Sequence, residues 1–192
     1  MSKDFATSII QTLRQQSFQA YLVGGCVRDL LLNREPKDYD VATNATPQQV
    51  MRIFPETYAV GAQFGVVLVP VPDVASNVST EACARTSGCV EVATFRSDIG
   101  YSDGRHPDEV RFSRDPREDV ARRDFTINGM MLDPVSGEVL DFVGGREDLK
   151  AGIIRTIGNA DQRFAEDKLR LLRAVRFAAR FGMRSRRQHL PR

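Results

Sequence analysis

Long apolar segments are absent from this sequence. No stretch of 18 consecutive apolar residues occurs among its 192 residues, and a membrane-spanning helix needs about that length. The first residues, MSKDFATSII, also lack the basic-then-apolar order of a secretory signal. Hydrophobic residues make up 42% of the chain and charged residues 27%, which is typical of a globular protein in water. We therefore expect a cytoplasmic protein of one domain, or of one domain and a short appendage, with no membrane partner.

Cysteine and histidine are also scarce. The three cysteines are Cys26, Cys83 and Cys89, and no Cys-x-x-Cys pair or neighbouring histidine completes a set of zinc ligands. A disulfide framework and a zinc site are therefore excluded, and free thiols are predicted. Neither of the two histidines is placed to activate a serine or cysteine nucleophile, and His106 is predicted to be a solvated loop residue.

The net charge is small but unevenly distributed. It is +2, yet the last 25 residues contain nine of the 27 basic residues and none of the 25 acidic ones. A basic end on an acidic body is typical of a surface that faces a nucleic acid or a triphosphate. A solvated basic tail is the alternative, and charge alone does not separate the two.

Periodicity and turn residues divide the chain into helices and strands. Helices are predicted over residues 4–16, 26–32, 47–54, 117–131, 146–150 and 160–181. Strands are predicted over residues 19–23, 39–42, 64–71, 90–95, 139–143 and 153–157, with surface loops over 72–88 and 96–116.

Residues 23–43, VGGCVRDLLLNREPKDYDVAT, combine two features of a metal–nucleotide site. Gly24 and Gly25 form a turn that opens a helix, where free N–H groups can bind phosphate. Asp38 and Asp40 are one residue apart, so both project from the same face of an extended strand and repel each other unless a cation such as Mg²⁺ lies between them. Each feature alone is commonly a plain turn or a surface pair, but their close succession is more specific.

Two further groups of charged residues are candidates for the same site. Glu91 comes from a predicted strand and becomes a third ligand if that strand neighbours the aspartate pair. Arg122, Arg123 and Asp124 can form a phosphate clamp, since guanidinium groups match phosphate oxygens. The alternatives are a solvated strand residue and a helix-terminal ion-pair cluster of little energetic value.

The predicted C-terminal helix, residues 160–181, has a basic stripe and an apolar face. The basic stripe consists of Arg170, Arg173, Arg176 and Arg180. The apolar positions, which lie on one side of the helix, are Phe164, Leu169, Leu172, Val175 and Ala179. Asp167 and Arg170 are three residues apart and can read the edge of a nucleobase together, although an ordinary ion-paired helix face has the same pattern.

Six segments together resemble the class II tRNA nucleotidyltransferases, which are the CCA-adding enzymes and bacterial poly(A) polymerases. They are GGCVRD at 24–29, DYDVAT at 38–43, EVATFR at 91–96, DGRHPDEV at 103–110, RRDFTINGM at 122–130 and EDKLRLLRAVRF at 166–177. The resemblance implies an α+β fold, a polymerase-β-like nucleotidyltransferase head with a small mixed sheet flanked by helices. It places this head in residues 1–157 and the start of an all-α neck in residues 158–192.

The same resemblance implies the roles of individual residues. Asp38 and Asp40 would bind two Mg²⁺ ions, and Glu91 would be the third catalytic carboxylate. Asp167 and Arg170 would select CTP or ATP by pairing with the base. The implied nucleotide contacts are Gly24, Gly25, Arg28, Arg122, Arg123, Asp124, Asp167, Arg170, Arg173 and Arg176.

The implied activity is template-independent transfer of CMP and AMP from CTP and ATP to the 3′ end of RNA, with tRNA as the expected partner. VGAQFGVV at 60–67 favours the CCA-adding branch, and poly(A) addition is the alternative. An inactive nucleotide- or RNA-binding fragment and a nucleotidyltransferase for a small molecule are further alternatives. The resemblance fades after Met183, so the neck is predicted to be truncated.

Overall fold

A computed structural model describes residues 3–72 and 88–185 of the chain. Its helices are α1 (Lys3–Gln15), α2 (Gly25–Leu31), α3 (Pro47–Ile53), α4 (Pro116–Ala121), α5 (Gly145–Ala151), α6 (Ala160–Glu166) and α7 (Leu169–Phe181). Its strands are β1 (Ala20–Val23), β2 (Asp40–Thr43), β3 (Tyr58–Gly61), β4 (Val66–Pro70), β5 (Cys89–Thr94), β6 (Arg96–Ile99), β7 (Glu109–Phe112), β8 (Met130–Leu132), β9 (Val139–Asp141), β10 (Ile153–Ile154) and β11 (Arg184–Ser185).

A seven-stranded mixed sheet forms the centre of the fold, in the order β3-β4-β5-β2-β1-β8-β9. Strands β2 and β5 pair in parallel, and the other neighbours pair antiparallel. In the parallel pair Val41 lies opposite Val92, which places Asp40 beside Glu91 one residue earlier. The expected mixed sheet with flanking helices is confirmed, and so is the expectation that the Glu91 strand neighbours the aspartate strand.

Each face of this sheet packs a separate hydrophobic core. Val41 and Val92 belong to the larger core, together with the buried side of α1. Ala42 belongs to a smaller core on the opposite face. Because side chains alternate along a strand, Asp40 and Glu91 project on the same face as Ala42. The carboxylates therefore stand at the edge of the smaller core, away from α1.

The region between β5 and β8 differs from the prediction in two places. Residues 96–116, predicted as a loop, contain the antiparallel hairpin β6–β7, in which Arg96 lies opposite Phe112. Residues 117–131, predicted as one helix, form α4, a 3-10 turn at Thr126–Asn128 and strand β8. The helix ends early because Phe125 and the residues after it bury their side chains in the two cores by entering the sheet.

The predicted C-terminal helix is broken into α6 and α7 at Asp167. This residue has an extended backbone (φ −144°), and its carboxylate Oδ1 accepts the N–H of Leu169 at 2.9 Å, which caps the second helix. The apolar side of the predicted helix is not its buried side. Arg170 and Phe177 are buried, whereas Leu172 is 67% exposed, because arginines of α7 contact Tyr101 and Asp124 of the head.

The cysteines differ from the free-thiol prediction at one position. Cys26 is a free, buried thiol, whereas Cys89 is disulfide-bonded. Cys83 and most of the predicted loop at 72–88 lie outside the described residues. Within the described ranges, no helix has the length and apolar character needed to cross a membrane.

Candidate active site

A cleft of about 560 Å³ lies between α7 and the sheet face that carries Asp40. It is strongly charged, with one acidic wall and several arginines. Eleven of the thirteen predicted site residues line it, namely Gly24, Gly25, Arg28, Asp40, Arg122, Arg123, Asp124, Asp167, Arg170, Arg173 and Arg176. Asp38 and Glu91 lie outside this lining but remain close enough to act on the charge of Asp40.

The turn at Gly24 favours glycine because of its backbone conformation. Its φ of +78° is in the left-handed region that side chains disfavour. A Cβ atom there would make only ordinary contacts, at 3.4 Å from Nη1 of Arg123 and 4.0 Å from Oδ2 of Asp40. The absent side chain thus leaves open the space between a guanidinium and a carboxylate, where a phosphate and its cation can fit.

The carboxylates form an electrostatically unfavourable cluster. Burial, followed by the charges of Glu91 and Asp38, raises the pKa of Asp40 to about 6, although the charge of Arg123 opposes them. Burial and the charge of Asp38 likewise raise the pKa of Glu91. A bound cation would relieve this repulsion.

The side chains of the protein supply only some of the ligands that a Mg²⁺ ion needs. Across residues 3–72 and 88–185, no three His, Cys, Asp or Glu side chains are arranged to hold a metal ion by themselves. Mg²⁺ characteristically takes one or two carboxylates and completes its shell with water and substrate phosphates. Asp38 and Asp40 match that pattern, so their role as ligands stays a prediction that the local charge supports.

Arg122 and Arg123 share a buried partner, Asp119, which sequence reasoning missed. Arg122 Nη2 donates to one carboxylate oxygen at 2.7 Å and Arg123 Nη2 to the other at 2.8 Å. Burial alone would raise the pKa of Asp119, but the two guanidiniums outweigh it and hold the pKa below its usual value. The arginines are therefore oriented into the cleft by a fully buried carboxylate, which is more than a surface ion-pair cluster.

Arg28 is almost completely buried and held on several sides. Its Nε and Nη2 contact Oδ1 of Asp29, and its Nη1 donates to Oδ1 of Asn128 at 2.6 Å. The guanidinium also stacks 4.6 Å from the ring centroid of Phe181 and 5.2 Å from that of Phe177. Arg28 thus joins α2 to α7 at the floor of the cleft.

Asp167 and Arg170 both reach the cleft, but they are not each other's main partners. Arg170 Nη1 donates to Oε2 of Glu166 at 2.7 Å, whereas its Nε lies 4.0 Å from Oδ2 of Asp167. Burial would lower the pKa of Arg170, but the hydrogen bond that it donates to Glu166 outweighs burial and raises the pKa. With Asp167 Oδ1 used as a helix cap, its other oxygen remains available to a ligand in the cleft.

Tyr101, from the turn of the β6–β7 hairpin, also contacts α7. Its ring centroid lies 5.7 Å from the guanidinium carbon of Arg170, and its hydroxyl donates to Oδ2 of Asp98 at 2.9 Å. Burial and the charge of Asp98 raise the pKa of Tyr101 to about 12, so it stays a neutral donor. The hairpin was predicted as a loop, so this contact could not be expected.

Two further arginines of α7, Arg173 and Arg176, differ in their partners. Arg173 donates from Nε to Oδ2 of Asp124 at 2.7 Å and therefore ties α7 to the segment that carries the arginine pair. Arg176 stacks 5.6 Å from the ring centroid of Phe177. The cleft as a whole places acidic oxygens and guanidiniums around one space, which suits a polyanion that carries a divalent cation.

Comparison with known proteins places this site in a family. A family profile described as "Poly A polymerase head domain" matches residues 20–155. The CCA-adding enzyme of Oceanobacillus iheyensis is 45% identical over 178 residues, which are 92% of this chain and 40% of that protein. The chain thus spans about 40% of the length of the curated relative.

Two solved structures show the same fold. The CCA-adding enzyme of Bacillus stearothermophilus in complex with CTP has a TM-score of 0.80 and 41% identity, and the match covers 97% of this chain and 42% of that one. The Thermotoga maritima CCA-adding enzyme complexed with tRNA_CCA has a TM-score of 0.69 and 25% identity, over 96% of this chain and 39% of that one. With its profile match, sheet topology and charged cleft, the chain belongs to the poly(A) polymerase head-domain family that includes these CCA-adding enzymes.

Proposed function

We propose that the chain is the catalytic part of a template-independent nucleotidyltransferase that adds CMP and AMP from CTP and ATP to the 3′ end of tRNA, as in CCA addition or repair. The observation that carries the proposal is the position of Asp40 and Glu91 on adjacent parallel strands beside a cleft lined by arginines. The relatives named CCA-adding enzymes, one solved with CTP and one with tRNA_CCA, support the choice of substrates.

The acidic side of the cleft activates the acceptor in this proposal. Asp38 and Asp40 would hold Mg²⁺, and Glu91 adds negative charge beside them. When bound there, the ion would lower the pKa of the RNA 3′-hydroxyl and neutralise charge on the leaving pyrophosphate. The elevated pKa of Asp40 is consistent with this role, because a carboxylate that is costly to ionise alone is stabilised once a cation is present.

The basic side of the cleft holds the triphosphate. Arg122 and Arg123, fixed by Asp119, present guanidinium groups to the phosphates and offset the charge that develops during transfer. Arg28 contributes from the floor of the cleft, and the Gly24 turn leaves room for the phosphate chain. Because these donors are already oriented, little reorganisation accompanies the reaction.

Base selection falls to the start of α7. Arg170 is held in one pose by Glu166 and by the carbonyl of Arg163, at 2.7 and 3.0 Å. Arg170 supplies donors and the free oxygen of Asp167 supplies an acceptor, and such a pair can match the edge of cytosine or adenine. We place the catalytic head in residues 1–157 and the selecting neck from residue 158 onward, and the cytoplasm remains its predicted location.

An assay of nucleotide incorporation into tRNA by the purified chain tests this function. The chain is incubated with Mg²⁺, labelled CTP or ATP, and tRNA that lacks its CCA end. Asp38→Asn and Asp40→Asn are each expected to lower single-turnover incorporation at least about 100-fold, because several kcal/mol of metal stabilisation are lost. Glu56→Gln, which removes a charge from an exposed position away from the cleft, is the matched control.

Binding measurements separate the enzyme from an inactive fragment. Calorimetric titration with CTP and Mg²⁺ reports nucleotide affinity whether or not transfer occurs. Binding without any incorporation that depends on Asp38 and Asp40 would favour the binding-fragment alternative. Absence of both binding and incorporation would refute the proposed function for this chain.

Poly(A) addition is the second candidate, and the description of the matching family profile favours it. The two activities differ in how far they extend an acceptor. With ATP alone and tRNA ending in CC, a CCA-adding enzyme stops after one AMP, whereas a poly(A) polymerase continues. Gel electrophoresis of the products therefore decides between them.

A further inference from the structure

We infer that Asn128 is a positioning residue that couples the phosphate-holding and base-selecting sides of the cleft. The inference rests on the proposed function. Asn128 lies in the 3-10 turn before β8, is 6% exposed and is part of the cleft lining. It was not among the residues expected from the sequence.

The carboxamide of Asn128 bridges two groups of opposite charge. Its Oδ1 accepts a hydrogen bond from Nη1 of Arg28 at 2.6 Å, and its Nδ2 donates to Oδ1 of Asp124 at 3.2 Å. The orientation of the amide follows from chemistry, because a guanidinium can only donate and an ionised carboxylate can only accept. An amide is the side-chain group that can satisfy both partners at once.

On one side, the bridge fixes the guanidinium that reaches toward the phosphates. Asp29 engages Nε and Nη2 of Arg28, and Asn128 engages Nη1. The guanidinium plane is thus set by hydrogen bonds and by stacking on the rings of Phe177 and Phe181. Nη1 and Nη2 each carry a second N–H, so Arg28 retains donors for a ligand.

On the other side, the bridge fixes the carboxylate that holds the selecting helix. Oδ2 of Asp124 accepts from Nε of Arg173, and Nη2 of Arg173 also lies 2.7 Å from this oxygen. Oδ1 accepts the N–H of Phe125 in addition to the amide of Asn128. A continuous set of hydrogen bonds therefore runs from α2 through Asn128 and Asp124 to α7.

This arrangement predicts that two substitutions at one position have different effects. Asn128→Asp keeps an acceptor for Arg28 but places a second carboxylate against Asp124, so it removes only the hydrogen bond to Asp124, on the side of α7. Asn128→Leu has similar size and removes both hydrogen bonds. A residue with a purely structural role would not separate nucleotide affinity from nucleotide choice in this way.

The test combines binding and selectivity at a temperature where circular dichroism shows each variant folded. Calorimetry with Mg²⁺ and CTP, ATP or UTP gives the affinities, and single-turnover incorporation on tRNA lacking CCA gives the selectivity for CTP over UTP. A hydrogen bond to a charged group is worth roughly tenfold or more in a binding constant. Asn33→Asp, the same chemical change at an exposed position, is the control.

For Asn128→Asp we expect CTP affinity within about threefold of the unsubstituted chain and selectivity reduced about tenfold. For Asn128→Leu we expect both quantities to fall about tenfold. Variants that match the unsubstituted chain in both quantities, or that lose only thermal stability, would overturn the inference, and so would equal effects of the two substitutions. Failure of the unsubstituted chain to bind any nucleotide would instead refute the proposed function.

Discussion

Asp40 shows how a site for a cation is built at the cost of local stability. The residue is half-buried on a central strand, and burial and two neighbouring carboxylates oppose its ionisation. One guanidinium, that of Arg123, opposes them but does not restore an ordinary pKa. In the protein alone the charge is therefore unfavourable, and it becomes favourable when a divalent ion arrives.

The first prediction follows from the direction of this shift. Because the pKa of Asp40 is raised from 3.8 to about 6 on folding, the folded state binds its proton more tightly, and stability falls as the pH rises from about 4 through 6. We expect Asp40→Asn to raise the melting temperature at pH 8 in the presence of EDTA. The gain should shrink at pH 5, where Asp40 is largely protonated.

Thermal unfolding with and without Mg²⁺ measures both parts of this prediction. Mg²⁺ should stabilise the unsubstituted chain but not Asp40→Asn, and Glu56→Gln should behave like the unsubstituted chain throughout. A variant that melts lower than the unsubstituted chain in EDTA at pH 8 would contradict the electrostatic argument.

At the scale of elements, α7 is distinguished by the face that it turns toward the head. Its regular spacing indicated one apolar and one basic face, and the basic face is the one that lines the cleft. Phe177 anchors this arrangement, since it is buried, packs edge-to-face on Phe125 at 5.8 Å and lies beneath three arginines. Leu172 and Val175 are each 67% exposed.

Two alanine substitutions test the orientation of α7. Phe177→Ala removes a buried ring and should lower the free energy of unfolding by about 3 kcal/mol. Leu172→Ala should change it by less than about 0.5 kcal/mol, because little apolar surface is lost and alanine favours helix. Chemical denaturation of the two variants side by side gives the comparison. The reverse ranking would mean that the apolar face of α7 is the buried one.

The errors and successes of the sequence prediction have a common physical basis. Local signals were sufficient for the glycine turn and for Pro47 as the first residue of α3 with its Thr46 cap. They also gave most strands of the sheet within a few residues. Spacing of this kind reports which residues share a face, but it does not report what that face will contact.

The two missed residues, Asn128 and Asp119, differ in how far their partners lie along the sequence. Asn128 bonds to Arg28, 100 residues earlier, and no periodicity relates the two positions. Asp119 is closer to its partners, three and four residues before the arginine pair. That spacing fits an ion pair on a helix and could have indicated its role. The roles of all these residues in catalysis remain predictions.

For the whole molecule, the cleft depends on α7 staying docked on the head. The docking is made by a small number of contacts, including the Asp124–Arg173 ion pair and the stack of Arg28 on Phe177 and Phe181, while the outer face of α7 is exposed. Helix α1, in contrast, packs on the opposite face of the sheet, away from the cleft. Opening of α7 therefore destroys the site, whereas local opening at the start of α1 does not.

Hydrogen exchange with and without nucleotide should reveal this difference. A ligand present at about 100 times its Kd stabilises the closed form by about 2.7 kcal/mol, which corresponds to about 100-fold slower exchange for segments whose opening disrupts the site. We expect CTP with Mg²⁺ to slow exchange in α7 by this factor and to leave the first turn of α1 unchanged, with Mg²⁺ alone as the control. The same slowing in both segments would indicate that the chain opens as one unit, and no slowing in α7 would mean that the nucleotide does not bridge the head and the helix.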